Sequence, residues 1–193
     1  VASNSTNGYE LWSTDGTTAG TVLVKDIIAG STGSLPQNLF ALGNGKVLFT
    51  ANDNVRGYEL WVTDGSAAGT TLVRDIDAGA SGSVPGGFVA IGGGKAIFRA
   101  STAAAGSEPW VTDGTAAGTV LLRDVFGGPS SSQAFGFTPI GDGKVVFAAT
   151  SSLGGTELWV TQGTAASTAL LADIQPGTDS SAPLGFLSLG NGK

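Results

Sequence analysis

The chain has 193 residues, of which 41% are apolar, 32 are glycine and only 12% are charged, a composition that argues for a turn-rich β protein. Cysteine, methionine and histidine are all absent, which excludes thiol and imidazole nucleophiles, disulfides and nearly every nitrogen- or sulfur-ligated metal site. A net charge of −6 without a basic patch argues against nucleic-acid binding, and no apolar run approaches the ~18 residues of a membrane span.

From the N-terminus, Asn4-Ser5-Thr6 fits the N-glycosylation pattern, a three-residue match of low specificity. Glu10-Leu11-Trp12 reads as a strand, Asp15-Gly16-Thr17 as a turn, and residues 21–27 as a further strand. In that last segment Val22 and Val24 share one face and Leu23 and Ile27 the other, so both faces seek burial. A sheet packed between two like sheets meets that demand better than a sandwich strand with one wet face.

The same pattern then recurs every 49 residues without insertion: Trp12, Trp61, Trp110 and Trp159; Glu10, Glu59, Glu108 and Glu157; Asp26, Asp75, Asp124 and Asp173; Lys46, Lys95, Lys144 and Lys193. Within the second copy, strands are expected over 87–91, 95–100, 108–112 and 119–125, with glycine turns at 92–94 and 113–118 and a variable loop over 101–106. Val1 matches Thr50, so the fourth copy lacks counterparts of Val47, Leu48 and Phe49. The repeat units fall at about 1–38, 39–87, 88–136 and 137–185 of a single repeat domain over 1–193, with 186–193 completing the first unit or starting another. The expected fold is all-β: a β-propeller of four 49-residue, four-stranded antiparallel blades, as a closed four-bladed ring or as part of a larger, eight-bladed one.

Glu59-Leu60-Trp61-Val62-Thr63-Asp64-Gly65-Ser66 followed by Gly69-Thr70 resembles the bacterial ELWxxDGT repeat family, and the likeness covers essentially the whole chain. The first copy, Glu10 to Thr17 with Gly20-Thr21, fits the motif best. The third departs at Pro109, and the fourth at Gln162 and Ser167, where its turn is expected to be less tightly specified. The resemblance implies propeller-like arrays in secreted or surface proteins and no catalytic residue.

Repetition in every blade is what a structural role requires and what a single active site does not. Asp15, Asp64 and Asp113, each before Gly-Thr or Gly-Ser, are placed to accept N–H groups of their own turn. Glu10, Glu59 and Glu108 are placed to pair with the cations at Lys25, Arg74 and Arg123, whereas Ala172 takes the cation's position in the fourth copy and Glu157 needs another partner. The four tryptophans lie mid-strand, which predicts buried rings. The repeated Trp, Glu and Asp residues are the candidate ligand or structural positions; no catalytic, metal or cofactor residue is assigned. Asn52-Asp53-Asn54 reads as a solvated loop rather than a Ca²⁺ site, since it lacks a later glutamate. The expected function is a non-catalytic scaffold of an extracellular or cell-surface repeat protein, not an enzyme, with a protein or glycan partner and with the ring completed by a homo-oligomer or by further repeats. The alternative is a multivalent carbohydrate-binding propeller, in which tryptophan faces and nearby carboxylates recognise sugars.

Overall fold

A computed structural model describes residues 1–190; Lys193 and the end of segment 186–193 lie outside them. The described chain is β-structure joined by turns, with one turn of 3-10 helix at Ala165–Ser167. It divides into two compact units, residues 1–85 and residue 86 onward.

The first unit holds two antiparallel sheets of consecutive strands. One is β1 (Ala2–Asn4), β2 (Gly8–Ser13) and β3 (Val22–Lys25); the other is β4 (Gln37–Gly43), β5 (Lys46–Asn52), β6 (Tyr58–Thr63) and β7 (Thr71–Arg74). Leu11 and Val24 of the first sheet pack with Phe49, Ala51 and Trp61 of the second. The second unit repeats the plan with β8 (Gly86–Gly92), β9 (Lys95–Thr102), β10 (Gly106–Thr112) and β11 (Val120–Leu121), then β12 (Phe135–Gly141), β13 (Lys144–Ser151), β14 (Gly155–Thr161) and β15 (Ala169–Ala172). Ile97 and Val111 of one sheet, with Leu122 just beyond β11, meet Val145 of the other.

Each four-stranded sheet begins with a tight hairpin. Asn44-Gly45, Gly93-Gly94 and Asp142-Gly143 occupy its two central positions, and all six residues have positive φ, the requirement of a type I′ turn. The second and third strands of each four-stranded sheet carry most of its buried residues. Phe49, Phe98 and Phe147 are fully enclosed and stand directly opposite Trp61, Trp110 and Trp159 on the third strand.

Two strand expectations need correction. The outermost strands are only partly buried: Val24 is 6% exposed and packs into the core, while Val22, Val120 and Leu170 on the edge strands β3, β11 and β15 are 48%, 42% and 44% exposed. The strand expected over 119–125 shrinks to Val120–Leu121. In the second repeat the ladder extends through the pair Leu60↔Arg74, and the matching pair here would need an N–H that Pro109 lacks. Segment 184–190, equivalent to β4, forms no strand, and Leu184, Leu187 and Leu189 are exposed.

Candidate functional site

Glu59, Glu108 and Glu157 sit on the third strand of their four-stranded sheets and Glu10 on the middle strand, β2, of the three-stranded one; all four are fully buried and aim at the connection that leaves the sheet. Glu59 accepts the N–H groups of Ile76 and Asp77 at 3.0 and 3.2 Å, the N–H of Ser83 at 2.9 Å and the Ser83 hydroxyl at 2.5 Å. Glu10 takes Ile28 N–H at 3.1 Å and both donors of Ser34 at 2.9 and 2.5 Å. Glu108 takes the N–H groups of Val125 and Ser132 at 3.0 and 2.7 Å. Glu157 takes Ile174 N–H at 2.9 Å and Ser181 through N–H and hydroxyl at 2.8 and 2.7 Å. A buried carboxylate with two to four donors ties an irregular loop to its sheet and pairs its backbone N–H groups.

The cations expected beside Glu10 and Glu108 are engaged elsewhere. Lys25 Nζ donates to the carbonyl of Thr70 at 2.7 Å, and Arg123 Nη1 donates to that of Thr168 at 3.0 Å. The carboxylates find backbone N–H donors closer at hand and pair with those instead. Desolvation pushes the Glu59 and Glu108 carboxyls above the usual range, against the opposing pull of their serine and backbone donors. At Glu157 desolvation is again the largest single effect, but Ser181 and the backbone donors together outweigh it and the carboxyl lies below its ordinary value.

Asp15, Asp64 and Asp113 occupy the turns after β2, β6 and β10. Asp64 Oδ1 accepts both the N–H and the hydroxyl of Ser66, at 2.8 and 2.7 Å; Asp15 and Asp113 hold Thr17 and Thr115 in the same way. Those hydroxyl and N–H donors hold all three carboxyls below the ordinary value. A Cβ on Gly20, Gly69 or Gly118 would fall on the neighbouring carboxylate, which explains the glycine of the motif. The fourth repeat changes both partners together. Gln162 replaces the aspartate, Ser167 replaces the glycine, and the Ser167 hydroxyl accepts the N–H groups of Gln162 and Thr164 at 3.0 and 3.2 Å. The turn is thus rebuilt around a different acceptor rather than loosened.

Trp61, Trp110 and Trp159 are only 7%, 6% and 5% exposed, and the Arg123 guanidinium lies 5.5 Å from the Trp159 ring centre. Trp12 is half-buried, and it borders a 260 Å³ cleft with Leu11, Val24 and Val47. Among the described residues no three carboxylates gather into a metal-binding group. The four repeated glutamates are not brought together; each is used within its own repeat.

No protein-family model matches the chain, and no curated protein or solved structure does either.

Two repeated sets escaped the sequence reading. Ser34, Ser83, Ser132 and Ser181 stand 24 residues after each glutamate, a constant spacing visible in the sequence but distant from the tryptophan motif. Thr14–Thr21, Thr63–Thr70, Thr112–Thr119 and Thr161–Thr168 join hydroxyl to hydroxyl at 2.7–2.8 Å. Because Thr70 donates to the Ser66 carbonyl at 2.6 Å, Thr63 must be the donor to Thr70, and the chain of bonds has one direction.

Proposed function

We propose that the repeats build a non-catalytic β-propeller of the ELWxxDGT type, an extracellular or cell-surface scaffold that offers its loops to a protein partner. The observation that carries this reading is the use made of the repeated polar residues: Glu10, Glu59, Glu108 and Glu157 spend their carboxylates on loop N–H groups, and Asp15, Asp64 and Asp113 on their own turns. Groups held this way are committed to the ground-state fold and have no oriented acid, base or nucleophile left for substrate. Face-to-face packing of like sheets within each unit supports the propeller geometry.

The test combines an image with a titration. Class-averaged electron micrographs of the full chain are expected to show blades arranged around an axis; an open stack would overturn the propeller. Intrinsic tryptophan fluorescence across a broad glycan panel is expected to show no saturable change. Saturable quenching by a sugar would replace the scaffold with the multivalent carbohydrate-binding alternative.

A further inference from the structure

The aspartate that ends the outer strand of each repeat is answered differently in each copy. Asp26 accepts the Asn7 side-chain amide at 2.7 Å. Asp75 faces Arg56, whose Nε lies 3.5 Å away while its Nη1 holds Asp53 at 2.5 Å. Asp124 accepts the N–H groups of Gly127 and Gly128, both at 2.8 Å. Asp173 is exposed and has no hydrogen-bonding or ion-pair partner among the described residues.

In the 49-residue register, Asn7, Arg56, Ala105 and Gly154 are one position. Where the second repeat places a guanidinium, the fourth has a glycine and a 360 Å³ cavity bordered by Ser151, Ser152, Trp159, Leu170 and Asp173, with Arg123 on one wall. That volume lies within the ~300–1,000 Å³ typical of small-ligand sites. We propose that this cavity binds a guanidinium or primary ammonium group brought by a ligand, in the place Arg56 takes in the second repeat, with Asp173 at the position of Asp75 and Ser151 at that of Asp53. Its charge rests on Asp173, its N–H groups reach the Ser151 and Ser152 hydroxyls, and Leu170 covers its aliphatic stem.

Arg123 does not forbid a second cation. Its Nη1 is committed to the Thr168 carbonyl at 3.0 Å, and the matching Lys25 of the first repeat makes the same bond to Thr70 of the second, where Arg56 holds its own place. The same chemistry can arrive as a free small molecule or as an arginine side chain of a peptide, and the experiment separates the two.

The full-length chain is titrated with agmatine, with a blocked Gly-Arg-Gly peptide and with neutral butylurea, following backbone amide shifts of residues 151–154 and 173 by NMR. At least one of the two cations is expected to saturate at these amides and butylurea is not; the expected affinity falls with added salt. Saturation by agmatine alone assigns a small-molecule ligand, and tighter binding of the peptide assigns an arginine-bearing partner. Asp173→Asn should weaken binding about tenfold or more, the loss of one charge-assisted contact. Gly154→Arg should abolish it by filling the cavity from within. That substitution has room, since Gly154 lies outside the left-handed region and the nearest atom to its Cβ would be Ser151 Oγ at 3.4 Å. No saturable shift with either cation, equal binding of butylurea, or binding unaffected by Gly154→Arg would overturn the proposal.

Discussion

At the scale of single residues, the motif glycine and the motif aspartate are one device in two parts. The Asp64 carboxylate occupies the space a Cβ at position 69 would need, and the fourth repeat escapes that conflict only by changing both residues. Gly69→Ser alone is therefore expected to destabilise the chain, Asp64→Gln alone to lose the Ser66 contacts, and the double variant to recover part of both losses. The expected coupling is about 0.5–3 kcal/mol, the range for residues in direct contact, and a double-mutant cycle on denaturant midpoints measures it. Simple additivity would contradict the pairing. The aspartate's part in the turn was legible in the sequence because the reason is local: a short carboxylate before Gly-Thr reaches its own turn. The glutamate's partner was not. Proximity of strand ends pointed to Lys25 and Arg123, whereas the actual partner lies across a loop whose path no local pattern encodes.

At the scale of elements, strand existence and order were readable from alternation and from hairpin residues, and strand ends were not. The two-residue β11 shows why. A proline at one position of β10 deletes a ladder bond and shortens the neighbouring strand from the four residues of β7 to two. Pro109→Leu should restore the pair with Arg123, and hydrogen exchange should find the new amide at position 109 as protected as that of Leu60. An unprotected amide there would mean that β11 ends for another reason. Burial along β3 is uneven although its sequence is apolar throughout: Val24 reaches the core, and Val22, at the start of this edge strand, stays in solvent. Tryptophan burial, by contrast, was legible from mid-strand placement: Trp61, Trp110 and Trp159 each stand opposite a buried phenylalanine.

At the scale of the whole molecule, the 49-residue period matters more than any single site. Four copies of a buried Glu–loop clamp mean four equivalent contributions to the fold and no privileged carboxylate. Their protonation also sets an acid response of mixed sign. Glu59 and Glu108 bind their protons more tightly when folded, so their contribution is complete at acid pH and declines as pH rises from the ordinary carboxylate value through the raised folded one. Glu157, Asp15, Asp64 and Asp113 behave oppositely and lose stabilisation as pH falls below the ordinary value. The most direct test of a structural rather than catalytic use of the repeats is a set of four variants, Glu10→Gln, Glu59→Gln, Glu108→Gln and Glu157→Gln, unfolded in denaturant at neutral pH and again near pH 4. An amide cannot accept at its nitrogen, so each variant leaves loop donors facing an NH₂ group. All four are expected to lose about 1–3 kcal/mol at neutral pH. Glu59→Gln and Glu108→Gln should also lose the decline in stability that their raised carboxyls impose as pH increases. One variant that keeps full stability while the other three lose theirs would single out a functional glutamate and contradict the account.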